Sequence, residues 1–266
     1  MLRDITIGQY YPADSPIHRL DPRTKILSTI LYIILIFTLS KMIGYGLIAV
    51  FILAVIKMSK VPAKFIFKGL RPILLIIIFA FLINMLMTPG ETIYKLWIFD
   101  ITREGFRQAF FMVFRLIFLI IGTSVLTLTT SPILLTDGIE KLLNVFKKIG
   151  VPAHELAMMM TIALRFIPTL LEETDKIMKA QMARGADFET GNLVNRAKSL
   201  IPILVPLFIS AFRRADDLAM AMEARCYRGG ENRTRMKVLK YSSIDIVALI
   251  FMIILTGAHI AVKILA

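Results

Sequence analysis

Long apolar runs alternate with charged segments along this chain. The runs without any charged side chain cover residues 26–40, 42–56, 72–90, 116–136 and 246–262. A helix needs about 20 mostly apolar residues to cross the hydrocarbon core of a bilayer, and most of these runs approach or reach that length. The pattern therefore predicts an all-α, polytopic membrane protein with five transmembrane helices.

The first two runs are shorter than a full span, and little more than Lys41, Gly44 and Gly46 lies between them. They could form one long, bent helix or a hairpin of two helices. Basic residues flank the pair on both sides, at Arg3, Arg19, Arg23 and Lys25 and at Lys57, Lys60, Lys64, Lys68 and Arg71. Because basic flanks face the cytoplasm, the chain crosses an even number of times here, which favours the hairpin.

The same rule orients the remaining spans and divides the chain. Residues 91–107 balance acidic against basic side chains and are expected to form an external loop. The N-terminus is then cytoplasmic and the C-terminus external, in the cell membrane. We expect four transmembrane helices in residues 1–130, a cytoplasmic helical region in 131–241, and the last transmembrane helix in 242–266.

The segment between the fourth and fifth spans has a helical pattern. Glycines and prolines, among them Pro168, Pro202 and Pro206, are expected to divide it into several helical pieces. Ser131 and Pro132 form a favourable helix start, with proline at the first helical position. The pieces between residues 153 and 212 are apolar on one side, which predicts long amphipathic helices at the cytoplasmic face of the membrane.

A weak internal repeat occurs in this segment. Aligning Arg184 with Arg225 also pairs Asp175 with Asp216, and both copies end in alanine, arginine and a small residue. The two triplets are Ala183-Arg184-Gly185 and Ala224-Arg225-Cys226. A glycine suited to a left-handed cap is expected to end each helix, although alanine-rich helices also produce such repeats by chance.

Composition and charge narrow the class of protein. The chain has 57% hydrophobic residues, a mean hydropathy of +0.72 and 32 Lys and Arg against 19 Asp and Glu, for a net charge of +13. Soluble domains are less apolar, usually about 45–50%. The long apolar runs favour a lipid bilayer over nucleic acid as the partner of these basic residues, and we expect no nucleic acid binding.

The sequence offers no catalytic, cofactor-binding or metal-binding motif that we recognise. It has no glycine-rich phosphate loop, and its histidines are isolated from possible co-ligands. Glu172, Glu173 and Asp175 are expected to be solvated or paired with Lys176 and Lys179. An alternative is a lipid-modifying enzyme that uses this acidic cluster and His154 at the membrane interface.

A stand-alone secondary carrier is a third possibility, and it should have buried ionisable groups along its path. Arg115 is the clear charge within the apolar runs, and snorkelling of its side chain to the external interface would account for it. This pattern disfavours an ion-coupled carrier.

The paired arginines are the most informative polar feature of the chain. An arginine in the last turn of a helix can neutralise the negative C-terminal end of that helix. It can equally offer five donors to a partner, and small neighbours allow the partner's backbone to approach closely. The duplication of the triplet favours docking of both helix ends into other proteins.

At these residues the sequence resembles a known family. The resemblance rests on the segments DSPIHRLDPRTK at residues 14–25 and LRFIP at 164–168, and on the triplets at 183–185 and 224–226. It extends over nearly the whole chain and identifies a transmembrane T component of energy-coupling factor transporters, EcfT. Cys226 departs from the glycine or other small residue that is frequent there in the family.

This resemblance implies a non-enzymatic membrane scaffold. Two cytoplasmic ABC-type ATPases would bind the coupling helix ends, one at Ala183, Arg184 and Gly185 and the other at Ala224, Arg225 and Cys226. A separate membrane-embedded S component would bind the substrate, a vitamin or metal ion. Methionines would offer the S component an adaptable surface, although ordinary helix packing also explains them; they are Met158, Met159, Met160 and Met178.

Overall fold

The computed structural model describes residues 10–39, 41–96, 99–186, 188, 192–229 and 238–265. They form two compact units. The first unit comprises the described residues of 8–139 and 238–266, and the second comprises those of 140–237. Arg3 of the N-terminal flank lies outside the described residues. So do Gly191 and Gly230, two of the glycines expected to divide the segment between the fourth and fifth spans.

Helices dominate both units and confirm the all-α class. In chain order they are α1 Pro16–Arg19, α2 Pro22–Thr38, α3 Met42–Ser59, α4 Ala63–Leu70, α5 Leu74–Met87, α6 Arg103–Thr129, α7 Pro132–Leu143, α8 Ala153–Ala183, α9 Leu193–Ala224 and α10 Ser243–Leu265. Short 3-10 turns follow α4 at Arg71–Ile73 and α7 at Asn144–Ile149. The predicted helix start at Ser131 and Pro132 is confirmed, because the Ser131 hydroxyl accepts from the Leu134 amide at 3.4 Å.

The expected external loop contains a small β-hairpin instead of irregular chain. Strands β1 Thr92–Leu96 and β2 Phe99–Thr102 pair antiparallel, with Lys95 opposite Asp100. Helix α6 then begins at Arg103, well before the apolar run at 116, because the Thr102 hydroxyl accepts from the Gly105 amide at 3.0 Å and caps the helix.

Among the described residues, five helical segments are long and apolar enough to cross a membrane, as predicted. They are Met42–Ser59, Ala63–Met87, Arg103–Thr129, Ala153–Ala183 and Ser243–Ala261. The set differs from the prediction in one helix, since α2 has only 17 residues and α8 qualifies. Helix α8 has the lowest mean hydropathy of the five, 1.2 against 2.1 to 2.4, so its placement outside the bilayer stays a prediction.

Helices α2 and α3 form the predicted hairpin rather than one bent helix. The rings of Tyr32 on α2 and Phe51 on α3 lie 6.0 Å apart, and α3 also contacts α1, which directly precedes α2. At the other end of the pair, the Thr38 hydroxyl lies 3.4 Å from Nε2 of His259 on α10. Helix α3 therefore returns to the end of the bundle at which α2 starts.

Helix α6 is the centre of the first unit and packs against α2, α3, α4 and α5. The Tyr32 hydroxyl donates to the Phe118 carbonyl at 2.6 Å, and a Cβ at Gly122 would overlap the Tyr32 ring. Glycine at 122 thus permits the close approach of α2 to α6. Core side chains surround this contact, including Leu35, Ile36, Ile48, Ile52, Ile121, Leu128, Met252 and Leu255.

Two buried carboxylates join the starts of α2 and α10. Asp245, 1% exposed, accepts from the Asp21 amide through Oδ1 and from the Ser242 amide through Oδ2, both at 2.7 Å. Asp21 in turn accepts from both Nε and Nη2 of Arg23 at 3.0 Å. Arg23 also lies 4.0 Å above the Tyr241 ring. We call this group the polar clamp, composed of Asp21, Arg23, Tyr241, Ser242 and Asp245.

Lys25 is buried beside the polar clamp, although its position in the sequence predicted a charged membrane flank. Only 6% of the residue is exposed. Its ammonium group donates to the carbonyls of His18 and Thr129 at 3.2 and 2.9 Å and to the Thr130 hydroxyl at 3.2 Å. Three oxygen acceptors satisfy the three donors, so Lys25 ties α2 to the end of α6.

Arg115 contacts the C-terminal end of α2, the end that the basic flanks assign to the external side, so snorkelling of its side chain stays a prediction. It lies about 18 Å along the α6 axis from Arg103, at a rise of about 1.5 Å per residue. Its Nη2 donates to the Leu39 carbonyl at 2.9 Å, at the C-terminal end of α2. The negative end of α2 therefore stabilises a charge that the sequence alone placed at the membrane surface.

We predict that Asp245→Ala destabilises the folded chain by about 2 kcal/mol, because it leaves the buried amide of Asp21 and the part-buried amide of Ser242 without an acceptor. Thermal unfolding of the purified chain in detergent measures the effect. Asp217→Ala, at an exposed position of α9, is the matched control and should change stability little. Equal unfolding midpoints for the two variants would exclude a structural role for the clamp.

Candidate functional site

Helices α8 and α9 of the second unit pack in opposite directions. Oε2 of Glu173 lies 2.7 Å from Nη2 of Arg214, and the Gln181 side chain donates to the Pro202 carbonyl at 3.5 Å. Near the start of α8, Nε2 of His154 lies 3.4 Å from the hydroxyl of Tyr227, which follows α9. Rising positions on α8 thus face falling positions on α9, as in an antiparallel pair.

The prolines of this region lie within continuous helices, contrary to the expectation that they divide them. Pro168 is inside α8, and Pro202 and Pro206 are inside α9. A proline removes one helical hydrogen bond and favours a kink, but packing along a long partner helix can offset that loss. The result is two helices of 31 and 32 residues rather than several short ones.

Because the pair is antiparallel, the two arginine triplets lie at opposite ends of it. Arg184 directly follows α8 and Arg225 directly follows α9. Pro202, which contacts Gln181 near the Arg184 end, is 23 residues from Arg225, or about 35 Å along α9, so the triplets are separated by roughly the diameter of a small domain. One binding groove does not span that distance, whereas two separate grooves can each receive one triplet.

A left-handed glycine ends α8, as predicted. Gly185 has φ +89°, and its amide donates to the Met182 carbonyl at 3.0 Å. The Ala186 amide donates to the Gln181 carbonyl, also at 3.0 Å. These two bonds form a Schellman cap, which satisfies carbonyls at the helix end that have no helical partner.

The second triplet ends its helix in the same way, but without glycine. Cys226 itself has φ +55°, and the Tyr227 amide donates to the Met222 carbonyl at 3.0 Å. The expectation that a glycine caps this helix was therefore wrong, although Gly229 further along also has a positive φ of +84°. A left-handed L-residue costs roughly 1–2 kcal/mol, so this helix end is strained.

Both arginines are accessible. Arg184 and Arg225 are exposed, as are Ala183, Gly185, Ala224 and Cys226. Among the residues that the structure describes, neither guanidinium forms an ion pair or a side-chain hydrogen bond, and no carbonyl of either helix end accepts from it. The two helix ends therefore present unsatisfied, permanently charged donors on small, open surfaces.

A polar contact supports the second helix end. Nδ1 of His154 lies 3.1 Å from Oε1 of Glu140, and its Nε2 faces Tyr227. The sequence suggested an isolated histidine at position 154, but the structure gives His154 two polar contacts. It links the end of α7, the start of α8 and the residue two positions after Arg225.

The acidic cluster of α8 does not combine with His154. Glu173 pairs with Arg214 of α9 and not with Lys176 or Lys179, and Glu172 is exposed. His154 lies about 28 Å from Glu173 along the helix axis. The groups required by the lipid-modifying enzyme are therefore far apart, and the described residues contain no cluster of three possible metal ligands.

The four methionines of α8 differ in exposure. Met159 is 55% exposed, whereas Met158, Met160 and Met178 are half-buried. Of these side chains, Met159 is the one most open to a partner. The other three are accounted for in part by packing within the second unit.

Comparisons with known proteins identify the family of the chain. A family model described as cobalt transport protein matches residues 13–236. The energy-coupling factor transporter transmembrane protein EcfT of Thermosediminibacter oceani is 65% identical over 249 residues, 94% of each chain. The chain belongs to the EcfT family. The EcfT proteins of Clostridium kluyveri and Bacillus subtilis are 60% and 48% identical, over 99% and 97% of this chain and 98% and 97% of theirs.

Membership of the EcfT family establishes the broad role of the chain. It is a multi-pass membrane protein and a transmembrane component of an energy-coupling factor transporter. The segments that carried the sequence resemblance have distinct positions in the fold. Asp21, Arg23 and Lys25 join helices of the first unit, whereas the arginine triplets end the two long helices of the second.

We predict opposite effects of glycine exchange at the two helix ends. Gly185→Ala should destabilise the end of α8 by about 1 kcal/mol, because alanine disfavours its positive φ. Cys226→Gly should stabilise the end of α9 by up to about 1 kcal/mol, because it removes the same strain. Hydrogen exchange of the last-turn amides measures both, and a slower exchange in Gly185→Ala would contradict the assigned caps.

Proposed function

We propose that this chain is the scaffold that couples two cytoplasmic ABC-type ATPases to a separate, membrane-embedded S component. The triplet at 183–185 docks into one ATPase and the triplet at 224–226 docks into the other. Binding and hydrolysis of ATP move the helix ends, and the second unit transmits this movement to the S component. The S component then releases a vitamin or metal ion into the cell. The scaffold itself performs no chemical reaction.

The observation that supports this proposal best is the position of the two arginines. They are exposed, have no partner among the described residues, and lie at opposite ends of one antiparallel helix pair. A role limited to neutralising their own helix ends does not require two matching triplets with small neighbours. Two partner grooves of the same kind explain both the duplication and the separation.

The helix pair is suited to transmit movement because side-chain contacts join α8 and α9 at several points. The Glu173–Arg214 ion pair is partly buried, with 23% and 36% side-chain exposure. Exposed ion pairs contribute only about 0–1 kcal/mol, so this pair marks where α8 meets α9 and supplies only a small part of the stability of the helix pair. A displacement at one arginine would then move the helix pair as a unit.

The orientation of the chain follows from its basic flanks. The exposed residues Lys57, Lys60, Lys64, Lys68 and Arg71 lie on the side that we assign to the cytoplasm. The N-terminus is then inside and the C-terminus outside the cell membrane, and residues 131–241 face the cytoplasmic ATPases. Met159, together with Met158, Met160 and Met178, contributes an adaptable contact surface for S components.

We predict that the double variant Arg184→Glu, Arg225→Glu abolishes both ATPase binding and substrate uptake. Loss of a desolvated charged contact costs about 2–5 kcal/mol, and reversed charge adds repulsion. Co-purification of the ATPases with the tagged chain measures assembly, and uptake in reconstituted vesicles measures transport.

Arg213→Glu is the matched control, because Arg213 is also exposed on α9 but lies away from the helix ends. It should retain assembly and uptake. A double variant that imports substrate at the rate of the unmodified chain would disprove the coupling role of the triplets.

We further predict that His154 positions the Arg225 end but not the Arg184 end. His154→Ala removes the contacts to Glu140 and Tyr227, so it should weaken ATPase binding a few-fold in the unmodified chain and in Arg184→Ala. In Arg225→Ala it should have little further effect, because the group that it positions is gone. ATPase affinity with and without His154→Ala in these three backgrounds measures this coupling, and equal losses in both arginine variants would show a general loss of structure instead.

A further inference from the structure

The connection between the first hairpin and the next span carries an unusual concentration of unpaired positive charge. Residues 42–90 contain no acidic side chain. Within them lie five exposed cations, which we call the basic elbow: Lys57, Lys60, Lys64, Lys68 and Arg71. None of the five forms an ion pair or a side-chain hydrogen bond with any residue that the structure describes.

Helix α4 and the turn that directly follows it arrange three of these cations on one face. Lys64, Lys68 and Arg71 follow the spacing i, i+4 and i+7, which forms one stripe along a helix. Ile66, 2% exposed, points about 200° away from Lys64 and lies on the face that packs against α6. Gly69 allows this close packing, since a Cβ there would lie 3.2 Å from the Ser124 hydroxyl.

Aromatic side chains flank the stripe on both sides. The Phe65 ring packs 5.3 Å from the Tyr11 ring, whereas Phe67 is 62% exposed without any ring contact among the described residues. The apolar span of α5 follows directly, with Leu74 and Leu75 also exposed. An exposed phenylalanine beside lysines, next to a membrane span, is the arrangement of a helix that lies at the lipid headgroup level.

Asp14, which precedes α1, does not neutralise the elbow. Asp14 pairs with Arg19 at 2.7 Å, and this pair lowers the pKa of Asp14 below its ordinary value, so the carboxylate stays charged and engaged. Lys60 contributes only a smaller, more distant effect on Asp14. The charge of the basic elbow therefore remains available to an anion from outside the chain.

We propose that the basic elbow is a binding site for anionic phospholipids of the adjacent leaflet. Lipid phosphates contact the stripe of Lys64, Lys68 and Arg71, while Phe67 inserts between the acyl chains. Pro62 precedes α4, and the 3-10 turn Arg71–Ile73 with Pro72 connects α4 to α5. Bound lipid holds α3 and α5 at a fixed depth in the bilayer. This inference does not depend on the proposed contacts with ATPases.

Native mass spectrometry of the full chain in detergent tests the proposal, with dioleoylphosphatidylglycerol and dioleoylphosphatidylcholine as separate probes. The unmodified chain should retain phosphatidylglycerol at least about tenfold more tightly, since each lysine near an anionic surface contributes about fivefold. Lys64→Gln, Lys68→Gln should weaken phosphatidylglycerol binding on the order of 25-fold and leave phosphatidylcholine binding unchanged.

The matched control is Arg103→Gln, Arg107→Gln, which removes the same charge from exposed positions of α6. These positions lie about 30 Å along α6 from Ser124, the residue of α6 that packs against α4. This variant should keep the selectivity for phosphatidylglycerol. Equal losses in both double variants would show a general charge effect and overturn the proposal. Unchanged selectivity in Lys64→Gln, Lys68→Gln would also overturn it, and weaker assembly with partner subunits in that variant alone would then assign the elbow to an acidic protein surface.

Discussion

The antiparallel packing of α8 against α9 is the constraint on which the functional reading depends. The Glu173–Arg214 ion pair and the contact between His154 and Tyr227 fix the direction of this pairing. A parallel pair would bring the two arginine triplets together at one end, where a single partner could bind both. Because the pair is antiparallel, each triplet is exposed at its own end, and a scaffold for two separate partners becomes possible.

The first unit depends on a different principle, the need to satisfy polar groups where water is scarce. Asp245 accepts from one buried and one part-buried amide, Lys25 donates to three oxygens, and Arg115 binds the carbonyl end of α2. Each of these contacts joins elements that are distant in sequence. An unpaired charge at such a position costs several kcal/mol, so these contacts select one arrangement of the helices. The basic elbow differs because its charges face outward and find no partner within the described chain.

The apolar runs were sufficient to predict the all-α class and the number of long apolar helices, and the basic flanks predicted the α2–α3 hairpin. Neither pattern predicted that Pro168, Pro202 and Pro206 lie within helices, because the packing of a long partner helix is invisible in a local pattern. The contacts of Lys25 and Arg115 were also missed, since all their acceptors except the Thr130 hydroxyl are backbone carbonyls, which leave no trace in the sequence. The triplets were recognisable in the sequence because they are repeated. The left-handed backbone of Cys226 was not, because glycine is the usual residue at a left-handed helix cap. The contact between Glu140 and His154 forms across the turn between α7 and α8, and no pattern in the sequence indicates it.

Cys226 is the only cysteine of the chain and lies beside Arg225 on the exposed surface, which makes it a built-in probe of the central claim. The most direct measurement is the rate at which a maleimide modifies this thiol in the free chain and in the assembled transporter. If the second triplet lies in an ATPase groove, modification slows at least about tenfold on assembly, as expected for a contact that is occupied more than 90% of the time. An equal rate in the free chain and in the verified complex would contradict the account.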